Sequence, residues 1–324
     1  MAFRVAIVGL GMAVTPHAKS LIDLKVEVAY AYSPSAARRA QFGQRFSFPQ
    51  CDRLETILED RSVNAVLILT PPNTHLELVE KCAAAGKHIL LEKPLEVSLK
   101  KSEQLVKTAA GVKLGIVLQH RFRPGAEKLR AMLPELGQLV SASAAIPNWR
   151  PQSYYDMPGR GTRARDGGGV LLTQGIHTLD LFLSLAGEPS KVTSFVTTTP
   201  VHNMETEDLV AAAVQFKNGA IGTVHATTTA YPGFPERIEL IGTKGTALLE
   251  GPSLRVELAD GKKFQIQAEG GGTGADPMAF PHDWHRSLLA DFLDAIENNR
   301  QPRISGDEAL KVHRFIDEIL LSAG

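Results

Sequence analysis

The sequence predicts an α/β protein with an N-terminal Rossmann dinucleotide-binding domain, followed by an α/β domain built on a large, mostly antiparallel sheet. Three observations carry this. Short apolar runs alternate with helical stretches over the first 120 residues, and a glycine pair, Gly9 and Gly11, separates the first strand from the first helix. Beyond about residue 123 the alternation gives way to period-two strands divided by turn dipeptides such as Asn218-Gly219 and Asp260-Gly261. A chain of 324 residues is long enough for two cores, and the expected division is 1–122 and 123–324.

Each element follows from its own residues. "FRVAIVGL" is a buried strand, and helical character runs over 12–24. "VEVAYAY" is the second strand, "SAARRAQFGQRF" a helix and "LETILED" a shorter one. "NAVLILT", the helix "HLELVEKCAAAG", "HILLE", the helix "SLKKSEQLVKTAA" and the strand "KLGIVLQ" complete a parallel sheet with helices on both faces. In the second half, "LVSASAAI", "KVTSFVTTT", "EDLVAAAVQF", "AIGTVHATTT", "RIELIG", "ALLEG", "LRVELA" and "KFQIQA" read as strands. Helices are expected at 173–185, 282–298 and 307–320, and "AEGGGTGADP" is expected to be a loop.

Composition excludes several classes. Lys plus Arg equals Asp plus Glu, 35 each, so no net field favours nucleic acid or an anionic membrane surface. Cys51 and Cys82 have no metal-binding spacing and no disulfide pattern. No apolar run approaches the roughly 18 residues of a membrane helix, and the first residues lack the pattern of a secretory signal. A soluble cytoplasmic protein is the expectation.

Gly9 and Gly11 stand where one glycine makes a tight turn and the next lets a pyrophosphate approach amides at a helix N-terminus. Val14 occupies the place of the fingerprint's third glycine. No Asp or Glu occurs from Val28 to Phe48, where an acid would bind the ribose 2′-hydroxyl of NAD; Ser33, Arg38 and Arg39 lie there instead. Both NAD and NADP stay open as cofactors. Glu92 and Lys93 end the strand "HILLE", because Pro94 stops further pairing as a central strand. In an open α/β sheet that edge is where ligands bind. On the expected helix 173–185, Thr173 and His177 are four apart and share a face, with Asp180 a turn further.

"VGLGM", "TPPNTH", "AGKHILLEKPL" and "DGGGVLLTQGIHTLDLF" together resemble the Gfo/Idh/MocA oxidoreductases, the family of glucose–fructose oxidoreductase and inositol dehydrogenase. The resemblance covers nearly the whole chain. It implies hydride transfer between a nicotinamide and a hydroxyl-bearing carbon of a polyhydroxylated small molecule, in a site between the two domains. It also implies a homo-oligomer, dimer or tetramer, assembled through the C-terminal sheet. Lys93 and His177 fall on the family's catalytic lysine and histidine. Gly9, Gly11, Met12, Thr70, Pro71, Asn73, His75, Glu92 and Lys93 fall on its cofactor segments, with Ser33 and Arg38 as further candidates. Many relatives have an acid or Asn where this chain has Thr173, which shifts the proton role toward His177 and Lys93.

"NWRPQSYYDMPGRGTRARDGGG" sets four arginines and two tyrosines before the second-domain helix. It is similar to the corresponding loop of members acting on nucleotide-linked amino sugars, without their tryptophans beside "RGT". Arginine forks suit phosphate and carboxylate. Arg121, Arg150, Tyr154, Arg160, Thr173 and Gln174, with Lys93 and His177, are therefore the substrate candidates. His282 and His285 are spaced as metal ligands, but no third ligand is evident and no metal is expected. The expected activity is NAD(P)-dependent oxidation or reduction at a secondary hydroxyl of a sugar, cyclitol or nucleotide sugar. The alternatives are a dehydrogenase of a non-sugar cyclic diol and a non-catalytic NAD(P)-binding regulator.

Overall fold

The computed structural model describes residues 3–268 and 281–323, so the loop expected at 268–277 falls outside the described residues from position 269 on. The chain divides into two compact units. One comprises Met1–Leu118 with Pro281–Leu310, the other Gln119–Phe280 with Lys311–Gly324.

The first unit begins β1 (Arg4–Val8), α1 (Val14–Asp23), β2 (Glu27–Tyr32), α2 (Ala36–Gly43), β3 (Gln50–Cys51) and α3 (Glu55–Glu59). It continues β4 (Ala65–Ile68), α4 (His75–Ala84), β5 (His88–Glu92), α5 (Leu99–Thr108) and β6 (Leu114–Val117). The six strands are parallel in the order β3-β2-β1-β4-β5-β6. Helices cover both faces, so β1, β4 and β5 need no alternation. Val5, Ala6, Ile7 and Val8 are fully buried, as are Ala65–Ile68 and Ile89, Leu90 and Leu91. Each such branched side chain stabilises the fold by roughly 1.5–3 kcal/mol relative to exposure. Strand order reverses between β1 and β4, which puts a crevice at the carboxyl ends of β1, β4 and β5. Buried Cys82 of α4 has its thiol pushed up to about 12 by burial.

The second unit runs α6 (Pro124–Met132), β7 (Leu139–Pro147), α7 (Gln152–Tyr155), α8 (Ile176–Ala186), β8 (Pro189–Thr197), β9 (Leu209–Phe216) and β10 (Ile221–Thr227). It closes its sheet with β11 (Arg237–Gly242), β12 (Gly245–Glu250), β13 (Ser253–Leu258) and β14 (Lys263–Ile266). The order is β14-β13-β12-β11-β7-β10-β9-β8, antiparallel except for the β7–β10 pair. Alternation is strict in β9, where Val210, Ala212, Val214 and Phe216 are buried and Ala211, Ala213 and Gln215 are exposed. The solvent face carries Phe195 at 83% exposure and Ile221 at 64%, with Ile221 and Ile241 both opposite Ser141. Then α9 (Asp283–Glu297) returns the chain to the first unit against α1, and α10 (Gly306–Leu321) follows.

The expected helix at 173–185 begins differently. Leu171–Gly175 forms a π-helical turn, and only from Ile176 is the helix α-helical. The wider turn changes the angular spacing, so the four-residue rule does not place Thr173 and His177 on one face. Ahead of it, a Cβ on Gly169 would stand 1.8 Å from Glu207 O, which only glycine avoids.

Candidate active site

At the carboxyl edge of the first unit's sheet, Gly9 has φ +104° and donates its N–H to Tyr32 O at 3.0 Å. A Cβ there would meet the backbone of Leu69 at 2.8 Å, so the turn after β1 lies directly on the end of β4. Gly11 faces open space, and a side chain added there meets nothing within 4 Å. Val14, in the third-glycine position, is instead a core residue at the start of α1. This geometry fits a dinucleotide: one glycine is demanded by the fold, the other leaves room in front of a helix N-terminus. Met12, Pro71 and Asn73 are exposed around this edge, and Thr70 is half-buried with its hydroxyl accepting from Thr74 Oγ1 at 2.7 Å.

Two candidates sit differently from expectation. His75 is fully buried, with Nε2 2.9 Å from Thr70 O and Nδ1 3.0 and 3.1 Å from the carbonyls of Pro94 and Leu95. Its ring bolts the loop after β4 to the loop after β5 and has no surface left for a cofactor. Burial also pulls its basicity down. Ser33 is buried, and its hydroxyl accepts from Ser35 N at 3.3 Å, while Arg38 is exposed. The guanidinium that reaches the end of β2 belongs to Arg39, whose Nη1 donates to Ser33 O at 2.6 Å.

Lys93 follows β5 and is half-buried. Glu92 turns back beneath it: Oε2 accepts the Lys93 amide at 3.1 Å, and Oε1 faces His17 Nε2 at 2.9 Å. The His285 ring stands edge-on to His17, with centroids 5.1 Å apart. His285 therefore does meet further ligand-type groups, His17 and Glu92, which sequence spacing did not reveal, whereas His282 pairs with Asp23 at 2.8 Å. His17 was missed because one histidine in an apolar helix carries no spacing signal.

In the second unit, His177 is half-buried in the first turn of α8, its ring 4.9 Å from that of His120 at a 30° tilt. Arg123 Nη2 lies 2.6 Å from His120 Nε2, and the Arg123 guanidinium also contacts Glu236. Thr173 donates its hydroxyl to Gly169 O at 2.6 Å and lies beside the Gln174 amide oxygen, serving the helix start. Glu207, also missed, accepts the amides of Gly169 and Leu171 at 2.9 and 3.2 Å; burial is the largest influence on its carboxyl and raises it. Arg121 is not available as expected. Its guanidinium is buried in a two-point pair with Asp180, 2.7 and 2.5 Å. In the loop before α8, Tyr154 has Arg160 over its ring at 4.7 Å and Arg150 at 5.7 Å, and Arg160 Nη1 donates to its hydroxyl at 2.7 Å.

Residues 3–120 match the oxidoreductase family with an NAD-binding Rossmann fold, and residues 127–248 match the GFO/IDH/MocA C-terminal domain. The chain belongs to the Gfo/Idh/MocA family. Residues 3–120 are the family's NAD-binding Rossmann domain, and the protein is an NAD(P)-dependent oxidoreductase of CH–OH groups. It is 26% identical to myo-inositol 2-dehydrogenase of Thermotoga maritima, over 94% of this chain and 91% of that one. It is 29% identical to mouse trans-1,2-dihydrobenzene-1,2-diol dehydrogenase, over 77% and 75%. The WlbA dehydrogenase of Bordetella pertussis, solved with NADH and UDP-GlcNAcA, superimposes with a TM-score of 0.84 at 23% identity, covering 100% of this chain and 97% of that one.

Buried histidines make a prediction about acid. Burial holds His285 and His313 of α10 at about 3, against 6.5 normally. The unfolded chain thus takes up these protons first, so their contribution is intact above about pH 6.5 and is lost as pH falls toward 3. The loss is on the order of several kcal/mol per group. Denaturant midpoints should fall steadily from pH 7 to 4, and His313→Leu should flatten that slope; an unchanged slope would contradict the assignment.

Proposed function

We propose that this protein transfers a hydride between NAD(P) and a secondary hydroxyl carbon of a sugar, cyclitol or nucleotide-linked sugar, with Lys93 and His177 handling the hydroxyl proton. The observation that carries this is the place of Lys93. It ends β5 on the same sheet edge as the Gly9–Gly11 turn, with its amide held by Glu92 and its following residues held by His75. The cofactor, when bound, takes or supplies the hydride. In the oxidative direction the C–H bond breaks with its electron pair, and the hydroxyl proton must leave at the same centre. A neutral Lys93 Nζ can accept that proton, or as an ammonium stabilise the alkoxide oxygen. His177 offers an imidazole for the same proton, and Thr173, a hydroxyl committed to Gly169 O, cannot act as a base.

One feature favours a nucleotide-linked sugar. Arg150 and Arg160 both lie on Tyr154, pairing two cationic forks with an aromatic face. That is suited chemistry for a diphosphate or carboxylate beside a ring, and the Bordetella relative was crystallised with such a ligand.

Screening sugars, cyclitols and UDP-sugars for NAD(P)H fluorescence changes tests the activity. With the substrate so found, Lys93→Met should lower turnover by at least about a thousandfold while cofactor binding survives; near-normal turnover would remove Lys93 from the mechanism. We further propose that NADP binds at least as well as NAD, because the end of β2 has no carboxylate and Arg39 reaches it. A charged contact of roughly 1.5–3 kcal/mol corresponds to about ten- to a hundredfold in affinity. Calorimetric titration showing a tenfold preference for NAD would refute this. The exposed sheet face bearing Phe195, Ile221 and Ile241 is proposed as a homo-oligomer contact, and a monomer by sedimentation at micromolar concentration would count against it.

A further inference from the structure

We infer that His17 and Glu92 are a part-buried positioning pair for Lys93, with Glu92 joined to the lysine and His17 joining both to the helix that follows the cofactor turn. The inference rests on the proposed role of Lys93. His17 is 1% exposed on α1, whose start is set by the Gly9–Gly11 turn. It donates from Nε2 to Glu92 Oε1 at 2.9 Å, and the other oxygen accepts the Lys93 amide at 3.1 Å. Two consecutive hydrogen bonds thus run from α1 to the backbone of the lysine.

His17 is expensive where it is. Its Nδ1 is buried without a hydrogen-bond partner among the described residues, and such a group costs roughly 1–3 kcal/mol. An apolar residue would fill the helix face without that cost, so the contact to Glu92 is what the ring contributes. A metal centre does not explain the group. His17 Nε2 and Glu92 Oε1 are closer than the roughly 3.3 Å between two ligands of a tetrahedral zinc ion with bonds of about 2.0–2.1 Å. The distance is that of a hydrogen bond.

The pair also carries charge. Burial pushes the Glu92 carboxyl up, but the His17 hydrogen bond, with the neighbouring Lys93 charge, outweighs it, and the net direction is down. Glu92 is therefore an anion next to Lys93, and by reciprocity it favours the ammonium form of the lysine. The other titratable groups around it are His285 and His282 from α9, with Asp23 of α1 paired to His282, and His75 from α4. His285 and His75 are both disfavoured as cations by burial, which leaves Lys93 as the cation beside Glu92.

The test reads Lys93 directly and needs no substrate. Lysines are reductively methylated with ¹³C, the Lys93 resonance is identified by its loss in Lys93→Met, and its titration is followed by NMR. In Glu92→Gln, which removes the anion, the Lys93 midpoint should fall by about one pH unit, whereas in His17→Leu, which leaves Glu92 ionised with Lys93 as its remaining partner, it should rise. In His17→Gln, whose side-chain amide can donate to Glu92, it should return toward the wild-type value. NAD(P) affinity by calorimetry should stay within about threefold in the two His17 variants. An unmoved midpoint in folded Glu92→Gln overturns the inference, as does a tenfold loss of cofactor affinity in folded His17→Gln, which would make His17 part of the cofactor site. Should His17→Leu not fold, Glu92→Gln and His17→Gln carry the test alone. Because the readout is protonation and not turnover, an active Lys93→Met would sink the proposed mechanism and leave this measurement standing.

Discussion

A single carboxylate at the end of β5 has to be ionised and bonded on both oxygens to tie this sheet edge to helix α1. Glu92 meets those conditions through His17 on one side and the Lys93 amide on the other. Ile89, Leu90 and Leu91 of the strand before it are fully buried, so its end is fixed in space to begin with. Helix α1 is fixed too, because the Gly9 turn is pressed onto Leu69 so closely that no Cβ fits. Two rigid elements joined by one charged hydrogen bond make a lysine position that does not depend on loop conformation.

The second unit solves a similar problem with ion pairs. Asp180 is buried in a mostly apolar helix, and a lone carboxylate there would be severely destabilising. Arg121 meets it with a two-point contact, so the residue that looked like a cleft cation is the counter-ion that lets α8 carry a charge. Arg123 and Glu236 repeat the arrangement beside His120. Removing one partner of either pair would leave a buried charge, a far larger change than losing a surface bridge.

How much of this the sequence discloses depends on the range of the interaction. Runs such as "VAIV" and "HILL", and alternation such as that of β9, are local signals of burial, and the strands they predict are present in both sheets. The two-residue strand β3 is too short to leave a pattern, and α6, opening at Pro124, follows a strand so closely that its start was hidden. The π-helical turn at Leu171–Gly175 is also illegible, and Glu207, which holds the amides of Gly169 and Leu171 at its start, lies 36 or more residues away. The same holds for Arg121 with Asp180, 59 apart, and His17 with Glu92, 75 apart. Lysine, glycine and histidine candidates could be nominated from motif and resemblance, but their partners are set by topology.

His75 has a consequence for how this edge can change over time. One imidazole meets the backbone of the loop after β4 and of the loop after β5, so the two loops share a fastener. Lengthening either one would pull carbonyls away from the ring and release the other. Insertions that diversify specificity are thus confined to segments outside this fastener, and a transplanted loop would have to come with its neighbour and the histidine as one cassette.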